Sequence, residues 1–137
     1  MYKRLVKRIL AMTENEIASI CVDAIYAVYK ELGPGLLESI YQKVLLYELK
    51  KRGLEAVSEL QIPIHYDGLV FGTELRADIV VDNKVILELK SVQELKDIHF
   101  KQTLTYLRLT GMKLGLLVNF NCTRLKDGNI RRIVNNL

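Results

Sequence analysis

Ile17, Ile20, Cys21, Ala24, Ile25, Val28 and Leu32 recur at the spacing of a helix with one buried face. Thr13 followed by Glu16 has the spacing of a capping box at its start, and Gly33-Pro34-Gly35 stops it. A second helical pattern runs from about Leu36 to Arg52, with Leu37, Ile40, Tyr41, Val44, Leu45 and Leu49 apolar and Gly53 at its end. From Ala56 the period becomes that of strands. Glu59 to Tyr66 reads as a strand in which Pro63 marks an edge or a bulge, and Asp67-Gly68 supplies a turn into a long strand ending near Val81. Val85 to Leu89 is a third strand. Ser91-Val-Gln-Glu94 repeats the capping-box spacing and opens a helix with Leu95, Ile98, Leu104 and Leu107 among its apolar positions, closed by Gly111. Leu114 to Phe120 then reads as a buried strand and Ile130 to Val134 as a short last one.

The order is two helices, a three-stranded meander, a crossover helix and further strands. A crossover helix between Val85–Leu89 and Leu114–Phe120 makes those two strands parallel. The expected fold class is α/β, a mixed central sheet flanked by helices. No repeat, low-complexity tract or linker divides residues 1–137, which read as a single domain whose residues 1–12 form a basic N-terminal segment.

Composition narrows the chemistry. Half of the 137 residues are apolar, enough for one core without staples. Cys21 and Cys122 lack the paired spacing of a zinc site or disulfide framework, so reduced, cytoplasmic chemistry is expected. Met1 to Leu10 hold no continuous apolar run, so neither a signal peptide nor a membrane span is expected. A net charge of +4 and a pI near 9.1 lean towards an anionic partner. The cations cluster at Lys3, Arg4, Lys7 and Arg8, at Lys50, Lys51 and Arg52, and at Arg124, Lys126, Arg131 and Arg132. At Lys50 to Arg52 they suit a helix C-terminus; Lys126, Arg131 and Arg132 are the candidates for contacting nucleic-acid phosphates.

The segment from Arg76 to Lys90 carries most of the chemistry. Glu88 and Lys90, two apart in a strand, project from one face. On a buried central strand such charges are costly unless paired or bound to a metal. Asp78 joins them only under one condition. If Asp82-Asn83 alone form the loop, Asp78 lies opposite Leu87 and points away; if Lys84 also belongs to the loop, or a bulge adds a residue, Asp78 lies opposite Glu88. An irregular hairpin is therefore expected.

Asp78, Glu88 and Lys90 resemble the signature of the PD-(D/E)xK nuclease superfamily, with Ala77 in place of its Pro. Gly35-Leu-Leu-Glu38-Ser-Ile-Tyr41 is similar to the Gly-x-x-Glu-x-x-Tyr of the small GxxExxY proteins, and Gln102-Thr-Leu-Thr-Tyr106 to the Gln-x-x-x-Tyr of RecB-like nucleases. The resemblance runs from about Ile17 onward. It implies a restriction-endonuclease-like αβββαβ core, here with an extra N-terminal helix, and divalent-metal-dependent hydrolysis of nucleic acid, DNA foremost. It further implies metal ligands at Asp78, Glu88 and the Leu89 carbonyl, Glu38 as an additional ligand, and Lys90 acting on the attacking water.

Two carboxylates about 4 Å apart repel by roughly 4 kcal/mol at an effective dielectric near 20. Three need a cation, a proton or Lys90, and oxygen-only ligands select Mg²⁺ or Mn²⁺. Gln102 and Tyr106 share a helix face and serve either the core or the site, where they could orient Lys90, a water or a phosphate. Tyr41 either belongs with Glu38 or locks its helix to the sheet. His65 and His99 receive no catalytic role, and no Ser-His-Asp arrangement or phosphate-binding Gly-rich loop is present. The rival reading is a non-cleaving nucleic-acid-binding subunit with the same fold. A homodimer would supply two active sites for two strands.

Overall fold

The computed structural model describes residues 12–72 and 74–137, so Lys3, Arg4, Lys7 and Arg8 lie outside the described residues. Helix α1 (Glu14–Leu32) opens on Thr13, whose hydroxyl oxygen accepts from the Glu16 amide at 3.2 Å. Gly33, with φ 66°, ends it. Helix α2 (Glu38–Lys51) follows the turn at residues 33–37, and helix α3 (Asp97–Thr110) ends at a left-handed Gly111.

The strands are β1 (Ala56–Gln61), β2 (Ile64–Tyr66), β3 (Leu69–Phe71), β4 (Arg76–Val81), β5 (Val85–Lys90), β6 (Leu114–Asn119) and β7 (Ile130–Val134). Five form a sheet in the order β1-β4-β5-β6-β7. β5 and β6 are parallel through the α3 crossover and the other neighbours are antiparallel, so the sheet is mixed. One face packs on α1 and α2 through Ile17, Cys21, Ile25, Leu45, Leu49, Ile79, Leu87, Leu89, Leu116 and Phe120. The other packs on α3 through Val80, Ile86, Tyr106 and Leu107. The α/β architecture with an extra N-terminal helix stands as read from the sequence.

Two regions differ from the sequence reading. Both strands expected before Val81 are broken: the one at Glu59–Tyr66 splits into β1 and β2, the one after Asp67-Gly68 into β3 and β4. As a result β2 and β3 leave the sheet as a separate hairpin while β1 pairs with β4. Pro63 lacks the amide that a continuing ladder needs. Gly72, at φ 120°, lets the chain return so close to β1's exit that an added Cβ would lie 2.6 Å from the Ile62 carbonyl. The crossover helix starts at Asp97, not near Ser91. Ser91 spends its hydroxyl on the Leu36 carbonyl (2.7 Å), and Val92 bonds through both backbone groups to the Asn119 amide (3.1 and 3.0 Å). The stretch is thereby held as a series of bends outside the helix, and His99 accepts from the Lys96 amide at the true helix start.

Candidate active site

The β4–β5 connection takes three residues. Val81 pairs with Val85, Val80 with Ile86 and Ile79 with Leu87, leaving Asp82, Asn83 and Lys84 as the turn. Asp82 and Asn83 both have left-handed backbones, φ 50° and 54°, which Asp and Asn tolerate better than most residues. Asp82 is further held by bonds with Glu55, its carboxylate accepting from the Glu55 amide at 2.8 Å and its amide donating to the Glu55 carbonyl at 2.7 Å. Continued along β4 and β5, this register puts Asp78 opposite Glu88, as the irregular-hairpin expectation required.

At that level the carboxylates replace the ladder. Glu88 Oε1 accepts from the Asp78 amide at 3.0 Å, and Asp78 Oδ2 accepts from the Leu89 amide at 2.8 Å. Each acid thus clasps the other's strand through one oxygen. Burial pushes the Asp78 carboxyl up, against the Leu89 bond and the Lys90 charge, which draw it down. Burial and then the Asp78 charge push Glu88 up to about 8. The two carboxyl groups also meet side chain to side chain, and that hydrogen bond adds to the rise in Glu88. Such a pair is stable only with a proton, or a cation, between its members.

Lys90 lies two residues beyond Glu88 at the end of β5. Its charge is felt by both acids, yet among the described residues it forms no ion pair. On α3, the Gln102 side-chain amide donates to the Tyr106 hydroxyl oxygen at 3.0 Å. Tyr106 is buried against the sheet; its phenol is pushed up by burial and then by the charge of Glu88. Its hydroxyl hydrogen remains available to a further acceptor.

Glu38 is the first residue of α2 and is exposed. Asp78 feels its charge, but among the described residues no group of three His, Cys, Asp or Glu side chains lies close enough to hold a metal ion. The structure therefore brings Asp78 and Glu88 together and leaves Glu38 outside the pair. Tyr41 has the structural role: fully buried, it stacks on Phe120 at 4.3 Å, its hydroxyl donates to the Gly33 carbonyl at 2.5 Å and accepts from the Leu36 amide at 3.2 Å. These bonds hold the turn in which Gly35 adopts φ 101°, a conformation that excludes a side chain. The Gly-x-x-Glu-x-x-Tyr spacing thus fixes where α2 begins, and with it Glu38.

The cations divide between the two faces of the sheet. Glu88 pairs with Leu117 and Leu117 with Arg131, so Arg131 shares a cross-strand row with the acids. Its guanidinium lies over the Phe100 ring of α3, 5.6 Å from the centroid. Arg132 points the other way and donates to Asn15 Oδ1 on α1 at 2.6 Å. Lys126 borders an apolar groove with Tyr26, Tyr29, Lys30 and Arg124 along α1. Only Arg131 of the three expected phosphate contacts shares the acids' face. Sequence reasoning missed Glu59, which stands in register with Asp78 on the neighbouring strand β1. Its only signal was a carboxylate in a strand on the polar side of Pro63.

A family model described as the PD-(D/E)XK nuclease superfamily matches residues 15–133. Among solved structures the chain is similar to the crystal structure of SSO0001, at 26% sequence identity and a TM-score of 0.53, over 98% of this chain and 63% of that one. The chain therefore spans less than two thirds of that protein. No curated protein matches.

Proposed function

The chain belongs to the PD-(D/E)XK nuclease superfamily, and from that premise we propose that it hydrolyses phosphodiester bonds in DNA with a divalent cation, Mg²⁺ or Mn²⁺, held by Asp78, Glu88 and the Leu89 carbonyl. Nucleases of this superfamily generally use divalent metals, and the residues here fit one. The observation that carries the reading is the three-residue turn, which sets the buried Glu88 carboxylate and the half-buried Asp78 carboxylate face to face, each bonded to the other's strand. An all-oxygen donor set of this kind suits a hard cation. When bound, the ion supplies charge neutralisation for the acids and for the phosphate in its transition state.

The chain's own groups do the rest. Lys90, free of an ion-pair partner among the described residues, positions the attacking water and through its charge favours that water's loss of a proton. The Tyr106 hydroxyl, fixed by Gln102, donates to a phosphate oxygen or to that water. Glu38 acts through an intervening water. Arg131, on the same face, holds the phosphate backbone without reading bases, while Lys126 and Arg132 contribute longer-range attraction. We read the chain as a GxxExxY protein, a single domain acting in the cytoplasm, with a homodimer supplying a site for each strand of a duplex.

Thermal unfolding of the wild type and Asp78→Asn in chelator, Mg²⁺ and Mn²⁺, followed by incubation with single- and double-stranded DNA and RNA, tests this. Cation stabilisation and cleavage that both disappear in Asp78→Asn are expected. Salt-sensitive binding that persists in chelator with no cleavage of any substrate would replace the nuclease reading by a non-cleaving nucleic-acid subunit.

A further inference from the structure

Glu59 sits in the middle of edge strand β1 with φ 55°, a left-handed backbone that strands do not use and that carries a steric cost for any residue with a Cβ. Its neighbours pair regularly, Ser58 with Ile79 and Leu60 with Ala77, so the register is intact and no residue is inserted. The rung that drops out of the ladder is the one facing Asp78. The distortion is therefore confined to the level of the acid pair. The Glu59 side chain is held as well: Oε1 accepts from the Gln42 side-chain amide at 3.1 Å, and Gln42 lies one helical turn after Glu38 on α2. Asp78 feels the charges of both Glu59 and Glu38.

Resting on the nuclease reading above, we propose that Glu59 is a positioning residue of the same centre: its carboxylate, fixed by Gln42 and by its own strained backbone, adds a negative charge at the open edge of the Asp78–Glu88 pair and strengthens the hold on a divalent cation. It acts through the pair and through the waters of the bound ion. A glycine would fit this backbone better, and the strain is retained because the carboxylate serves the site. The Gln42 bond joins β1 to the helix that begins at Glu38, so the two outer carboxylates flank the inner pair from two elements.

The test uses Glu59→Gln, Glu59→Gly and, as a control with the same change of charge, Glu14→Gln, which borders a cleft at the far, turn end of β5 with Asn83 and Lys84. Mn²⁺ affinity is measured by titration calorimetry on each full chain, with melting in chelator alongside. Both Glu59 variants are expected to bind Mn²⁺ about tenfold more weakly than wild type, in the range usual for groups just outside the direct ligands. Glu14→Gln should bind as wild type does, and Glu59→Asp should recover part of the loss. Relief of the left-handed backbone should raise the Tm of Glu59→Gly by roughly 3 °C. Wild-type affinity in both Glu59 variants overturns this inference while leaving the nuclease reading standing. A Glu59→Gly chain that melts below wild type makes Glu59 structural and overturns it too. A wild type that binds no Mn²⁺ removes the nuclease reading and this inference together.

Discussion

The chain contains two hairpins built on Asp-led turns, and they behave oppositely. In β2–β3, Tyr66 pairs with Leu69 across the two-residue turn Asp67-Gly68, and Tyr66, Leu69, Val70 and Phe71 are all exposed. In β4–β5, Val81 pairs with Val85 across three residues, and the strands lie in the middle of a five-stranded sheet with both faces covered. One residue of turn length decides which face every side chain takes. Neighbouring strands and helices decide what that face costs. In the outer hairpin a charge would be hydrated wherever it pointed; in the inner one the same choice sets two carboxylates together, largely out of water.

Inserting one valine between Lys84 and Val85 attacks this difference directly. With the three-residue turn kept, Val81 pairs with the inserted residue, Asp78 moves opposite Leu87, and the buried pattern of one strand is inverted relative to its core. A loss of roughly 4 kcal/mol or more is expected, as for other disruptions of a packed core, with no cation response; urea unfolding measures it. Deleting Asp67 from the outer hairpin should leave the melting transition cooperative, because few buried contacts depend on it. Cooperative, cation-responsive folding of the insertion variant would contradict the register argument.

Acidity offers the next test. The Glu88 carboxyl titrates near 4.5 when free and at about 8 in the folded chain, so between those values the folded state binds the proton more tightly than the unfolded state. Without metal, this group's contribution to stability is fully present below about pH 4.5, declines as pH rises and is lost above about pH 8, a change on the order of a few kcal/mol. Chelated wild type should therefore melt lower at pH 8.5 than at pH 6, Glu88→Gln should flatten that slope, and saturating Mn²⁺ should oppose it in the wild type alone. Cleavage by Glu88→Gln should fall at least about a hundredfold. A slope of the opposite sign would mean that the pair is not buried as described.

Smaller effects separate structure from chemistry within the helical layer. Tyr41→Phe keeps the stack on Phe120 but leaves the Gly33 carbonyl and the Leu36 amide without their partner, which should cost about 1–2 kcal/mol with little change in Mn²⁺ affinity. Smallest of all, Val70→Thr in the exposed hairpin should shift stability by no more than about 0.5 kcal/mol in chemical denaturation. A larger loss there would show that the outer hairpin is covered in solution, and sedimentation would then reveal the partner copy.

The local pattern carried most of the fold. The helical period from Ile17 to Leu32 and the cap at Thr13 depend on neighbours a few residues apart, and they stand as read. So does the parallel pairing of β5 with β6, since a connection through a helix leaves little choice. The capping-box spacing at Ser91-x-x-Glu94 was equally clear and did not prevail, because Leu36 and Asn119, distant in sequence, claim Ser91 and Val92. The break at Pro63 was legible as an irregularity, but its size was not, since it depends on Gly72 passing the Ile62 carbonyl.

By itself, then, the sequence determined the elements, the parallel crossover and the alternation that makes Glu88 and Lys90 share a face, all consequences of short-range periodicity and turn chemistry. It posed the Asp78 question as two registers and favoured the irregular one, because only there do the carboxylates converge. Tertiary structure made that choice through Glu55, which locks Asp82 in its left-handed turn, and through a packed sheet that admits one register. Tertiary structure alone also left Glu38 outside the acid pair, divided Arg131 from Arg132, and set Glu59 beside Asp78. Those outcomes depend on which strand neighbours which and on how far a helix stands from a sheet, and no spacing along the chain encodes either distance.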